Sequence, residues 1–531
     1  MSQTDSFVIR ILYNNLDDNQ ILHVDLPDTF VLSDIHGRQD VTGTVNDTTL
    51  FFSKSDSSDK TIRLTVPVLP CGEWQGDLPV SISLETNYPS NLLEYGNDLN
   101  LKLQDIDPVS IVFNGDTNEG TYIADVSMAK DGSILLYQDG DIAYISNFRQ
   151  EDILVSEDME NAFKDLKNLQ NIDLSHLDFS ECERMSSMFE NDLSLSNIVS
   201  LDQIDTSEVM YMDSLFAGCE SLSSLKVNSW DVSNVTDLSA MFENCASLRS
   251  LSLASWDVSS CEDMSDLFAH CLSLTTTGNL SAWDLSSVTD LSGVFDSCTK
   301  LRNTGNLTSW DVSHVRSLSR LFRNCEKLSS VGDLSNWDVS GIRDFSYMFA
   351  GASALSGYGD IGQWQVSDQC QDLSYMFQNA SAGLNAHADF SGWNVSNVIS
   401  TSHMFENSST LQSVNISGWD TSSLEDASAM FACFEETYLS PLTTVYGIED
   451  IDTSSLQNIS SMFYECQYFN ADLSAWNTEG LRDISYAFYG TYRFDTGKLK
   501  HWNVSNVSDM QECFGDNAGY IIGAEIPEWY H

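Results

Sequence analysis

Past residue 156, apolar side chains recur in one fixed order roughly every 26 residues. One phenylalanine marks each unit: Phe163, Phe189, Phe216, Phe242, Phe268, Phe295, Phe322, Phe349, Phe377, Phe405, Phe431, Phe463, Phe488 and Phe514. Tryptophan keeps the same beat at Trp230, Trp256, Trp283, Trp310, Trp337, Trp364, Trp393, Trp419, Trp476 and Trp502. Self-similarity at such a period is the signature of a repeat array, in which no unit buries its apolar face alone and stability comes from stacking.

One unit can be read from Cys245 onward. Leu248, Leu251, Leu253, Trp256 and Val258 fit the leucine-rich pattern L-x-x-L-x-L-x-x-N/C-x-L, with Trp where Asn or Cys is usual. Leu251 and Leu253 fall on one side of a short strand, the core side. Val235, Leu238, Met241, Phe242 and Cys245 then recur at helical spacing and predict a short helix after each Trp. Its expected N-caps are Asn234, Ser260, Ser287, Gly341, Asn397, Ser423, Ser455, Gly480 and Asn506. Three residues on, Asp237, Asp263, Asp290, Asp344, Asp426, Asp483 and Asp509 suit the first turn of such a helix. The expected fold is α/β, a leucine-rich-repeat-like solenoid of about 13–14 strand-helix units with a parallel sheet, preceded by a small all-β domain.

Residues 1–108 lack the repeat and alternate in short runs, among them Phe7 to Leu12, Thr61 to Val66 and Val80 to Leu84, which predicts a β-sandwich-like domain. Residues 109–176 read as an N-terminal cap. They hold a degenerate first repeat and a hairpin, Ile134 to Tyr137 and Ile142 to Ile145 about Asp139-Gly140. The solenoid is expected over 177–514 and a C-terminal cap over 515–531. Between Phe431 and Phe463 extra residues, Glu435 to Pro441, predict a loop leaving the array, either a binding loop or a tolerated insertion.

Charge narrows the partners. The chain has 24 Lys+Arg against 78 Asp+Glu, a formal net charge of -54. Nucleic acid is excluded because phosphate neutralisation needs a basic surface, and anionic membranes are disfavoured for the same reason. No apolar run is long enough for a transmembrane helix, so no membrane insertion is expected. The first residues lack a secretory signal, which leaves a cytoplasmic location as one reading and a removed signal as the other.

Candidate chemistry is sparse. Cys219, Cys245, Cys271, Cys298, Cys325 and Cys466 follow the ladder Phe by three residues and form a column without paired metal-ligand spacing. They read as packed thiols, with a few disulfides as the alternative. The nine His are scattered, and no H-E-x-x-H, G-x-S-x-G, P-loop or G-x-G-x-x-G occurs in context, so no enzyme, catalytic residue or cofactor is expected. The most suggestive column lies four residues before each Trp, predicted to face away from the core: Asn279, Asn306, Asp333, Asp360, Asp389, Asn415 and Asp472. It is the candidate ligand-binding stripe, within which Asp333, Asp360 and Asp389 would form a weak calcium or cationic-ligand site. The competing reading is a turn or side-chain ladder, since Gly278, Gly305, Gly332 and Gly359 precede four of its members.

The run W-D-V-S-N-V-T-D-L-S-A-M-F-E-N-C-A-S-L, Trp230 to Leu248, resembles the BspA-like leucine-rich repeats, the 26-residue repeat of bacterial surface proteins and mycoplasma lipoproteins. The resemblance extends from Glu157 to Phe514 and rests on Trp, Asp, Ser, Met-Phe and Cys recurring together. It implies a cell-surface or secreted scaffold, adhesin-like, that recognises a protein or glycan on a host or neighbouring cell. It supplies no catalytic residues. The chain shows no lipobox cysteine near its start and no C-terminal wall-sorting motif. A structural cell-envelope or fibre subunit, with the solenoid as spacer, is the second reading.

Overall fold

Each repeat is a chain of β-turns. In the computed structural model, apolar residues three apart are joined by turn hydrogen bonds: Val235 N to Val232 O, Met241 N to Leu238 O, Cys245 N to Phe242 O and Leu248 N to Cys245 O, all 3.0–3.3 Å. Successive turns place every third side chain inward, so all seven of these residues are buried. The helix expected after each Trp is therefore replaced. A period of three and a period of 3.6 share their first members over so short a run, and only the hydrogen-bond partners separate them.

The partners lie in the next repeat. Met212, Ser214, Phe216 and Gly218 donate their N–H groups to Asp237, Ser239, Met241 and Glu243 at 2.8–3.1 Å, while the intervening Leu215 and Ala217 close turns within their own coil. Alternate amides thus bond between coils as in a parallel sheet. The arrangement needs left-handed backbone at two positions flanking the ladder Phe, for instance Ala240 and Asn244 around Phe242, with φ of 52° and 56°. Such a conformation costs an L-residue on the order of 1 kcal/mol and persists because neighbouring amides are tied on both sides.

The structure describes residues 89, 91–114, 120–129, 132–147, 151–380, 382–435, 440–515 and 527–530, with the backbone of five strands before them. Those strands are β1 (Ser6–Leu12), β2 (Phe30–Gln39), β3 (Asn46–Lys54), β4 (Lys60–Thr65) and β5 (Ser81–Thr86). They make an antiparallel sheet of order β1-β3-β2 and an antiparallel β4-β5 pair; β1, β4 and β5 fall on the three runs named from the sequence, and β2 and β3 lie outside them. The sole α-helix among the described residues, α1 (Gly96–Ile106), lies inside the segment expected to be all-β. Its Leu99-x-Leu101-x-Leu103 also alternates as a strand would. In the helix Leu99 and Leu103 are buried and Leu101 is exposed. Asp107, at φ 44°, and then Pro108 end it.

Further strands are β6 (Ser110–Phe113), β7 (Thr121–Asp125), β8 (Ile134–Asp139), β9 (Ile142–Asn147), β10 (Ile153–Leu154), β11 (Asn171–Asp173), β12 (Leu177–Asp178), β13 (Asn197–Val199), β14 (His387–Asp389), β15 (Ser413–Asn415) and β16 (Thr444–Tyr446). The fold is mixed α/β, mostly short strands with few helices, and its repeat strands pair in parallel: β6-β11-β13 and β14-β15-β16. A second parallel ladder of single bridges climbs the column Asp158, Arg184, Tyr211, Asp237, Asp263 and onward to Asp509, where helix starts were expected.

The chain divides into two compact units, Met1–Glu94 with Phe113–Asp139 and Tyr144–Ser156, and Tyr95–Val112 with Gly140–Ala143 and Glu157–His531. The second unit begins with α1, whose Gly96 N–H donates to the Asp158 carbonyl (2.9 Å) while Asn100 donates to that of Lys164 (2.8 Å). The first coil is thus covered by a helix that precedes the cap boundary expected at 109.

Candidate functional site

The residues expected as a ligand-binding stripe form a column of turns. The Oδ1 of Asn279, Asn306, Asp333, Asp389, Asn415 and Asp472 accepts the backbone N–H two residues on, at 3.0–3.2 Å. Asp360 instead receives the Gln363 side-chain amide at 3.3 Å. Gly305, Gly332 and Gly359 each lie against the preceding column member: a Cβ at Gly359 would overlap the Asp333 carboxylate, and one at Gly305 the Asn279 amide. Serine bonds hold the Asp333, Asp389 and Asp472 carboxyls below their usual range. Among the described residues no group of three or more His, Cys, Asp or Glu could hold a metal ion. Asp333, Asp360 and Asp389 are not grouped as the expected cation site: Asp333 and Asp389 each cap a turn on their own coil, and Asp360 holds the Gln363 side chain.

The residues with reactive groups are committed in the same way. In the Trp-Asp-Val-Ser segment, Asp231 and Asp257 accept the N–H and hydroxyl of Ser233 and Ser259. Each Trp indole donates to a carbonyl of the coil before: Trp283 to Leu253 (3.1 Å), Trp310 to Leu280 (3.0 Å), Trp337 to Leu307 (3.1 Å). The cysteine column behaves alike, with Cys219, Cys245, Cys271, Cys298 and Cys325 directed at carbonyls of the preceding ladder Phe. These five thiols are free and buried, and burial raises them well above the ordinary value, Cys245 to about 12. Residues expected as helix caps reach back instead: Asn234, Ser287, Asn397 and Ser455 donate to Ser207, Ser259, Asp368 and Ser422 carbonyls.

One column is less committed: the hydroxyls of Thr236, Thr289 and Ser508 bond to carbonyls of the coil before and the Gln457 amide to Glu425, while Glu262, Arg316, Arg343 and Gln371 make no side-chain hydrogen bond among the described residues. The residue before each bridge residue donates its N–H to the equivalent residue of the preceding coil at 2.7–2.9 Å, through Met210, Thr236, Glu262, Thr289, Arg316, Arg343, Gln371, Ile399, Glu425, Gln457, Arg482 and Ser508. Its side chains stand outward, Glu262 through Glu425 all exposed. Its neighbours are near-constant between repeats: a buried Val, Cys, Ile or Leu before it and, in most units, Asp after it. The sequence signal was therefore available, as the variable letter in Val-x-Asp, and the helical reading hid it.

Four stretches, 157–279, 273–388, 358–443 and 433–529, match the family described as Mycoplasma protein of unknown function, DUF285. The chain belongs to the DUF285 family. No curated protein matches the chain. The DUF285 matches begin on the first coil and run through the last ladder Phe, so they cover the outward column from end to end. Within them Glu436 to Leu439 of the expected loop, and residues 516–526 of the expected C-terminal cap, lie outside the described residues. Trp529 adds a rung that the sequence count omitted: its ring stacks on Trp502 at 6.4 Å and its indole donates to Leu499 O at 3.0 Å. No helix among the described residues is long and apolar enough to cross a membrane.

Proposed function

We propose that this DUF285 protein is a non-enzymatic binding scaffold, a BspA-like leucine-rich-repeat solenoid at the cell surface or secreted, which recognises a protein or glycan. The observation that carries this reading is the outward column. Side chains of differing charge and size follow one another along a single backbone ladder, on a repeat whose other polar groups serve its own architecture. Varied side chains on a rigid frame are the usual composition of a recognition face. Many weak contacts along such a face would sum through avidity.

The test measures binding of the full chain to a panel of cell-surface proteins and glycans. A variant with Glu262, Arg316, Arg343 and Glu425 changed to Ala should lose about tenfold or more in affinity. Changing Asn279, Asn306 and Asn415 to Asp should leave affinity unaltered. Equal binding by the wild type and the column variant would defeat the proposal.

A further inference from the structure

Along the outward column one coil is longer than the rest. In nine of the ten Trp-marked units the ladder Phe follows the Trp by 12 residues, and from Trp364 to Phe377 it follows by 13. Alignment of Trp364-Gln-Val-Ser-Asp-Gln-Cys-Gln-Asp with Trp393-Asn-Val-Ser-Asn-Val-Ile-Ser places the extra residue at Asp368-Gln369, where the shorter unit has Asn397 alone. Beside it a groove of about 690 Å³ opens, lined by Arg343, Asp368, Gln371, Asn397, Ile399 and Glu425 among others. That volume lies in the range of small-molecule sites.

We infer that this groove binds a neutral oligosaccharide, an inference that rests on the scaffold reading and names its ligand. Three features select the class. First, hydrogen-bonding groups are left over: among the described residues Arg343 makes no ion pair and Gln371 no side-chain hydrogen bond. Asn397, having given its amide hydrogen to the Asp368 carbonyl at 2.8 Å, keeps its own carbonyl oxygen. Second, the lining carries both signs, Arg343 against Asp368 and Glu425, inside a chain of net charge -54. A cation would meet the guanidinium and an anion both the carboxylates and the long-range field. Sugar hydroxyls donate and accept, so a neutral ligand can bond to carboxylate, guanidinium and amide together. Third, Ile399, 45% exposed, gives the C–H face of a sugar ring an apolar contact at the same place.

Calorimetry of the full chain with maltotriose, cellotriose and triacetylchitotriose, with 3′-sialyllactose as the charged control, tests this. At least one neutral trisaccharide should bind. Gln371→Ala and Arg343→Ala should each weaken it about tenfold, whereas Lys300→Ala, exposed and outside both the column and the groove, should not. Deleting Asp368, which restores the 12-residue spacing, should abolish binding while the melting temperature shows the chain still folded. No binding by the neutral probes, binding by sialyllactose alone, or binding that survives both alanine variants would overturn the inference. A surface protein bound through the outward column without any trisaccharide would overturn it too, yet leave the scaffold reading standing.

Discussion

Arg323 closes a two-point ion pair on the carboxylate of Asp296, one coil earlier, with Nε to Oδ1 at 2.8 Å and Nη2 to Oδ2 at 2.7 Å. Asp296 is wholly buried and Arg323 is 28% exposed, so the guanidinium lies across the acid as a lid. Arg320 adds a longer contact at 3.4 Å and also reaches Asp266. Removing one partner strands a buried charge. Arg323→Ala should therefore cost about 3 kcal/mol in chemical denaturation, and Arg323→Lys, which lacks the planar fork, should recover less than half of that.

Asp192 has no such lid. It stands three residues after Phe189, where the next five coils carry Cys219, Cys245, Cys271, Cys298 and Cys325. Its Oδ1 accepts the Leu166 N–H at 2.8 Å, and its Oδ2 has no partner. Burial raises its carboxyl well above the ordinary value. A raised acid binds its proton more tightly folded than unfolded, so its contribution falls as pH climbs from the unfolded value near 4 through the folded value. Asp192→Cys should then melt higher than wild type at pH 7, by at least about 1 kcal/mol, with the gap closing toward pH 4. A gap independent of pH would refute this account.

The ladder phenylalanines stack ring on ring through every coil, from Phe163 on Phe189 (5.3 Å) to Phe488 on Phe514 (5.8 Å). Phe322→Ala in mid-array opens a cavity against two neighbours and should cost about 3–5 kcal/mol by urea denaturation. Trp310→Phe keeps apolar contact but removes one of two donors to the Leu280 carbonyl, which retains the Trp283 N–H at 3.1 Å, and should cost a smaller amount, about 1 kcal/mol.

Thiol chemistry reports on the same core. Cys219, Cys245, Cys271, Cys298 and Cys325 are fully buried with raised thiols, so a disulfide-exchange reagent at pH 8 should label them only after denaturation. Prompt labelling of any of the five in the native chain would contradict the packing.

Asp333 separates turn from metal site. Asp333→Asn keeps the acceptor for the Ser335 N–H, as Asn279 and Asn306 do in their coils, and should leave stability unchanged. Asp333→Ala removes it and should cost about 1 kcal/mol. The calcium isotherm should be the same for wild type and for the triple change of Asp333, Asp360 and Asp389 to Asn.

The sequence alone determined which side chains are stacked and in what order, because a 26-residue beat of Phe, Trp and Cys admits only one phase in which apolar faces meet. The fourteen-rung Phe ladder and the buried cysteine column were legible that way, and the strands β8 and β9 from their runs about Asp139-Gly140. What joins the rungs was decided by tertiary structure. Val235, Leu238, Met241, Phe242 and Cys245 satisfy a helix as well as a run of turns when read alone. The choice fell to the carbonyls of the adjacent coil, which take every second amide and leave none for an i to i−4 ladder. That same choice turned the expected capping residues into links between coils. It occupied Asp333 and most of its column with local turns, and it set Glu262, Arg316, Arg343 and Gln371 facing outward, where a helix would have hidden their common alignment.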